Sequence, residues 1–292
     1  MIEKIFTEID DFCLHFEPEF NQFLIKLGCK KRNKKETLSI SEVATIVVMF
    51  HRSGYRYFKD FYIKNVQKNW KKYFPVLVSY NRFVELMPKA LFALCSFLKT
   101  RFGKPTGITY IDSTSLAVCE NSRAKRHKVF KDEAGWGKSS TGWYFGFKLH
   151  LIVSDTGELL GAKCTSGNTD DRSVLEEMCS ELIGKLFGDR GYISKDKAEM
   201  LYEKYGVELI TTTKKNMKKK PISLLNKILL RGRSIIETIN DQLKNIQQVE
   251  HSRHRSKINF MVNLVSGLVA YTYQEKKPSL GILHTGLVPL GV

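Results

Sequence analysis

Residues 186–194 read LFGDRGYIS, an apolar run that ends in an acid and a base set between two glycines. Gly-Asp-x-Gly is ordinary turn chemistry. The run that leads in, KLFGD, has the length and apolarity of a short buried strand, and SKDKAEMLYEKYG beyond it reads as a helix. Asp189 therefore closes a strand. What it does there depends on whether the rest of the chain supplies partners for a carboxylate in that place.

Upstream, NTDDRSVLEEMCSELIG reads as a helix capped near Thr169 or Asp170, and WYFGFKLHLIVSDTGELLGAKCTSG as a β-hairpin turning at Asp155-Thr156-Gly157. ITYIDST is a strand with Ile108, Tyr110, Asp112 and Thr114 on one face. Residues 121–142, polar, basic and glycine-bearing, read as a mobile loop. Its GWGKSS is not a phosphate loop, because Asp132 stands where that motif needs glycine and no strand leads in. Downstream, VELITTT is a strand, KKNMKKKP a lysine-rich loop and LNKILLRGRSIIETINDQLKNIQQ a long helical stretch. The order β-β-β-α-β-α-β-α predicts an α/β fold with a mixed five-stranded sheet flanked by helices.

The first hundred residues have a different texture. Helical spacing runs through IEKIFTEIDDFCLHFEPEFNQFLIKLG with a stop at Gly28, and Ser39-x-x-Glu42 is a capping box. After Pro75, VSYNRFVELMPKALFALCSFLKTRF resumes helical spacing with an interruption at Pro88. An all-α domain over 1–102 is expected, with Asn81 and Arg82 opening a helix that is compatible with a helix-turn-helix DNA reader. A helical bundle with a solvated polar face is the alternative.

Charge narrows the partner. In 292 residues, 47 Lys and Arg stand against 30 Asp and Glu, a net +17 with a pI near 9.5, which favours a polyanion. No uninterrupted apolar stretch of about 18 residues exists to span a membrane. MIEKIFTEIDDF lacks the apolar core of a secretory signal. The six cysteines, at 13, 29, 95, 119, 164 and 179, form no CxxC pair and read as reduced thiols. Nucleic acid in the cytoplasm, and no membrane, is the expected setting.

Asp112 on the first strand and Asp189 after the fourth can face one crevice if those strands are neighbours. A buried carboxylate needs a partner, and two together repel, so a divalent cation is the natural neutraliser. The last long helix offers a third acid. With Arg233 at 0° and about 100° per residue, Glu237 falls at about 40° and Lys244 at about 20°. Ile236, Ile239, Leu243 and Ile246 cluster between about 220° and 300° as a docking stripe. An ordinary i,i+4 ion pair on a solvated face is the other reading of Arg233 and Glu237.

YIDST, GDRGY and RSIIETINDQLK, in that order, resemble the DDE transposases of bacterial insertion sequences that have a compact, uninterrupted catalytic core. The spacing Arg233-(3)-Glu237-(6)-Lys244 is similar to that group's signature, whose usual tyrosine three residues before the arginine is Leu230 here. HSRHRSKINFMVNLVSGLVAY and FPVLVSYNRF extend the likeness over about residues 70 to 275. The resemblance implies an RNase H-like catalytic domain over 103–275, followed by a tail at 276–292. It implies that Asp112, Asp189 and Glu237 are catalytic and hold two Mg²⁺ (or Mn²⁺) ions, and that Arg233 and Lys244 bind phosphate. Lys214, Lys215, Lys218, Lys219 and Lys220 form a cluster suited to a DNA backbone, and Arg253 and Arg255 to phosphate contacts.

The function expected is that of a DNA transposase. It binds double-stranded DNA at its element's terminal inverted repeats, cuts there and joins the ends to target DNA. A homo-oligomer on the nucleoid of a bacterium would serve that task. A stand-alone metal-dependent nuclease of the same fold and an inactive DNA-binding derivative are the rivals.

Overall fold

A computed structural model describes residues 1–29, 36–212, 221–250 and 254–281. The helical spacing of the first hundred residues builds α1 (Ile2–Lys26), α2 (Ile40–Phe50), α3 (Phe58–Phe61), α4 (Gln67–Asn69), α5 (Tyr80–Leu86) and α6 (Leu91–Thr100). A π turn, Tyr62–Val66, joins α3 to α4, and a 3-10 turn carrying Pro88 joins α5 to α6. The capping box forms as expected: the Glu42 N–H donates to Ser39 Oγ at 3.1 Å and the Ser39 N–H to Glu42 Oε2 at 2.7 Å.

These helices form one compact unit, Met1–Arg101, which also takes in Leu243–Val249 and His254–Tyr273. Within it α11 (Lys257–Thr272), apolar on nearly every side, packs against α2 and α6. His51 ties the packing together. It is buried, its Nδ1–H donates to the Gln247 carbonyl, and its Nε2 lies 3.1 Å from Ser266 Oγ.

Of the described residues, the second unit takes those within Phe102–Gln242 together with Glu250 and 274–281, and it holds the sheet. Its strands are β1 (Ile108–Cys119), β2 (Gly135–Ser139), β3 (Gly142–Ser154), β4 (Leu159–Ser166), β5 (Lys185–Gly188) and β6 (Glu208–Thr211). Its helices are α7 (Leu175–Met178), α8 (Lys195–Tyr205), α9 (Leu224–Arg231) and most of α10 (Ser234–Asn245). The strand order is β2-β3-β1-β5-β6, and β4 continues the β2 edge along the second half of β3. β1 is antiparallel to β3 and parallel to β5, and β5 is parallel to β6, so the sheet is mixed. One face buries Ile111, Ile152 and Leu186 against Leu175, Leu182, Tyr192 and Leu201.

The expected α/β fold behind a helical region is observed, with two corrections. The sheet has six strands rather than five. The extra one, β2, together with a 3-10 turn at Asn121–Arg126, lies where a mobile loop was expected. The long helical stretch is also two helices, broken at Gly232. There Tyr110 Oη donates to the Leu229 carbonyl at 3.1 Å, and a Cβ on Gly232 would lie 2.8 Å from Tyr110 Oη. Only glycine lets the chain come that close. Among the described residues no helix is long and apolar enough to cross a membrane.

Burial sets a pH limit on the fold. Desolvation holds His51 down to about 4, and the same cause holds the buried His150 on β3 down to about 4. Both must stay neutral in the fold but charge freely in the unfolded chain. Their stabilisation is whole above the ordinary value of 6.5 and drains away as pH falls toward 4. Denaturant titrations at pH 7 and pH 4.5 should therefore differ, with His51 alone contributing up to about 3 kcal/mol. His51→Gln should flatten that dependence while lowering stability at pH 7. An unchanged pH profile in the variant would remove this account.

Candidate active site

β1 and β5 run parallel in the register Ile108↔Lys185, Thr109↔Leu186, Tyr110↔Phe187. Extending that register by two residues brings Asp112, within β1, level with Asp189, the first residue past the end of β5. Asp189 also caps a 3-10 turn, Arg190–Tyr192, its Oδ1 accepting from the Gly191 N–H at 2.8 Å. The turn chemistry and the strand-end acid are thus the same residue.

Asp112 is largely buried, and its carboxyl is pushed up to about 6, first by desolvation. The Arg233 guanidinium and the Ser113 N–H oppose that rise, while the charges of Asp189 and Glu237 add to it. The other two expected acids, Asp189 and Glu237, and Arg233 therefore all lie within electrostatic reach of Asp112. Arg233 is mostly buried and stands 3.6 Å from the exposed Glu237 carboxylate. As placed, the acids are neighbours and not a closed cage: among the described residues no group of three His, Cys, Asp or Glu side chains is set to hold a metal ion.

Asn240 was not singled out from the sequence. It is buried on α10, and its Nδ2 donates to Asp112 Oδ2 at 3.2 Å, while its Oδ1 has no partner among the described residues. The helical wheel puts it at about 340°, between the charged row and the apolar stripe. That is where a polar side chain can be buried and still reach the sheet. Ile236, Ile239 and Leu243 of the stripe are buried as expected, but Ile246 is exposed, since the helix ends at Asn245.

Asp171 is a second residue without a sequence signal. Its Oδ1 accepts from Ser113 Oγ at 3.0 Å and from Lys148 Nζ at 3.1 Å. Lys148 also donates to the Thr169 carbonyl at 2.8 Å, so strand β3 and the 169–171 segment are pinned to the strand that carries Asp112. Burial, then the charges of Asp171, Asp112 and Asp189, drive the Tyr192 phenol well above its ordinary range. Asp171 belongs to the same acidic neighbourhood.

The remaining expected contacts fall on α10 and on the helical unit. Lys244 is partly buried at the end of α10. In the helical unit the exposed Arg255 is near enough to Tyr80 to favour its phenolate, although burial still raises that group overall. Tyr80 opens α5 beside Asn81 and Arg82, which puts Arg255 near the start of the helix that carries them. Arg82 there is paired with Glu85 at 2.8 Å and with Glu36 at 3.3 Å. Lys214, Lys215, Lys218, Lys219, Lys220 and Arg253 lie outside the described residues.

A comparison with curated proteins finds no match. A family model described as "Transposase DDE domain" matches residues 102–257, more than half of the chain. An aspartate within β1, a second just past the end of β5 and a glutamate on a later helix, set on a mixed sheet, are what that name leads one to look for. The chain, with its RNase H-like α/β fold, belongs to the DDE transposases, enzymes that cleave and transfer nucleic-acid strands.

Proposed function

We propose that the chain is the DNA transposase of a bacterial insertion sequence. It binds the terminal inverted repeats of its element, hydrolyses strands there and joins them to target DNA. The observation that carries this reading is that Asp112 on β1 is level with Asp189 at the end of the parallel β5, with Glu237 and Arg233 within electrostatic reach of Asp112.

The donor set suits a hard divalent cation. It consists of carboxylate oxygens, and the ionisation of Asp112 is opposed by the two acids beside it, a repulsion that a cation relieves. Asp112, Asp189 and Glu237 would hold two Mg²⁺ or Mn²⁺ ions. Bound there, such ions lower the pKa of a water or a DNA 3′-hydroxyl and stabilise the leaving oxygen of an in-line displacement.

The protein's own residues do the rest. Asn240 fixes the Asp112 carboxylate by its hydrogen bond. Arg233 neutralises the acids in the metal-free protein, and with Lys244 it binds the phosphates beside the scissile bond. The basic residues Lys214, Lys215, Lys218, Lys219, Lys220 and Arg253 track the duplex backbone. Asn81, Arg82 and Arg255 on the helical unit read the repeats. Two ends must be brought together, so the working form is a homo-oligomer, in the cytoplasm on the nucleoid.

Strand joining separates this reading from a stand-alone nuclease. Given Mg²⁺, labelled DNA with the element's terminal repeats and a supercoiled target plasmid, the wild-type protein should yield plasmid carrying covalently joined label. Cutting without joined product would favour the nuclease. Binding without cutting would favour an inactive DNA-binding derivative.

A further inference from the structure

The geometry points to the β2–β3 hairpin as a second DNA-contacting site, one that takes unpaired nucleotides by stacking their bases on Trp136 and Trp143. It rests on DNA being the substrate and adds a class of DNA that the catalytic crevice does not require.

The hairpin register sets Trp136 opposite Phe145 and Lys138 opposite Trp143. Alternation then puts Trp136, Lys138, Trp143 and Phe145 on one face. The tryptophans are 42% and 59% exposed, although rings of that size are usually well covered. Phe145 is buried and buttresses Trp136 at 5.6 Å between centroids, and Lys138 Nζ stands 5.8 Å from the Trp143 centroid.

The opposite face is anchored. A Cβ on Gly135 would lie 2.5 Å from Ser166 Oγ, and one on Gly137 would lie 2.4 Å from Tyr144 Oη. Asn121 Nδ2 donates to the Trp143 carbonyl at 2.7 Å, tying in the 3-10 turn Asn121–Arg126. The rings are therefore presented on a braced strand pair.

Charge decides the occupant. In residues 120–138 Arg123, Lys125, Arg126, Lys128, Lys131 and Lys138 are exposed against the exposed acids Glu120, Asp132 and Glu133, a net positive segment. A protein interface would bury its aromatic anchors in a core depleted of charge. Exposed rings among cations suit a nucleic-acid strand, with phosphates on the bases of the protein and nucleobases on the indoles. Stacking needs an uncovered base face, which a duplex does not offer, so the strand taken is unpaired.

Asp112 is level with Leu151 and Trp136 with Phe145, six residues apart on β3. At about 3.3 Å per residue that is roughly 20 Å, or about six nucleotides of helical rise. A strand leaving the crevice reaches the hairpin over that distance.

Tryptophan fluorescence tests this directly, because Trp70 is the only other indole in the chain. Oligothymidylate of 15 nucleotides should quench the wild-type protein. The double variant Trp136→Ala, Trp143→Ala should bind that oligonucleotide at least about tenfold more weakly, while affinity for a 15-base-pair duplex changes less than about twofold. Unchanged single-strand affinity would overturn the proposal, and so would an equal loss for duplex and single strand. So would a shift of oligomeric state with DNA affinity intact, which would assign the rings to a protein interface. A wild-type protein that cuts terminal-repeat DNA but ignores oligothymidylate would sink this site and leave the transposase reading standing.

Discussion

Asp189→Asn should abolish metal-dependent strand cleavage, by about a thousandfold or more, or roughly 4 kcal/mol of barrier, and leave DNA binding in place. The separation follows from the two jobs the residue does. As a cap it offers Oδ1 to the Gly191 N–H, and an asparagine Oδ1 accepts the same bond, so the turn and the strand end keep their places. As an acid it supplies a negative oxygen beside Asp112, which the neutral amide cannot. Cleavage of labelled terminal-repeat DNA and its retention in a gel shift measure the two jobs apart. Nicking at the wild-type rate by the variant would remove Asp189 from the reaction. Asp189→Ala adds the loss of the cap, about 1 kcal/mol, and should melt lower than Asp189→Asn.

Asp112→Asn should also lose cleavage, and in metal-free solution it should be more stable than the wild type. The Asp112 carboxyl moves from 3.8 to about 6 in the fold. Its contribution to stability is whole at acid pH and is lost as pH rises from about 4 through 6. At pH 8 the buried charge costs the fold about 3 kcal/mol. The amide keeps the hydrogen bond from Asn240 and carries no charge. In a chelator at pH 8 the variant should melt about 5–10 °C higher than the wild type, and the gap should close near pH 4. Mg²⁺ should raise the wild-type melting point and leave the variant's unmoved. A variant that melts lower than the wild type in chelator at pH 8 would show that burial and the neighbouring acids do not destabilise the Asp112 charge.

Much of this was legible because it is local. Helical spacing marked α1, α2 and α8, Ser39 and Glu42 announced their cap, and alternation marked β1 and the β3–β4 hairpin. β2 was hidden. GWGKS has the composition of a loop, but its glycines are there because Tyr144, Gly167 and Asn168 leave no room for a side chain, and that crowding arises only once the sheet is built. The break at Gly232 was masked in the same way, since helical spacing continues through it and the cause is Tyr110 on a distant strand. Ile246 fitted the stripe by angle but lies past the helix end, where the angle no longer applies.

By itself the sequence determined the alternation of strands and helices, the apolar stripe of α10 and the basic charge that calls for a polyanion. These depend on periods of two and 3.6 residues and on simple counting, and neither needs to know which strands are neighbours. Only the tertiary structure decided that β5 lies beside β1 and that Asn240 reaches Asp112. It also decided that Asp171 and Lys148 brace the same strand. Those pairings join residues separated by 23 to 128 positions, and the packing of the sheet, which no local pattern encodes, brings them together.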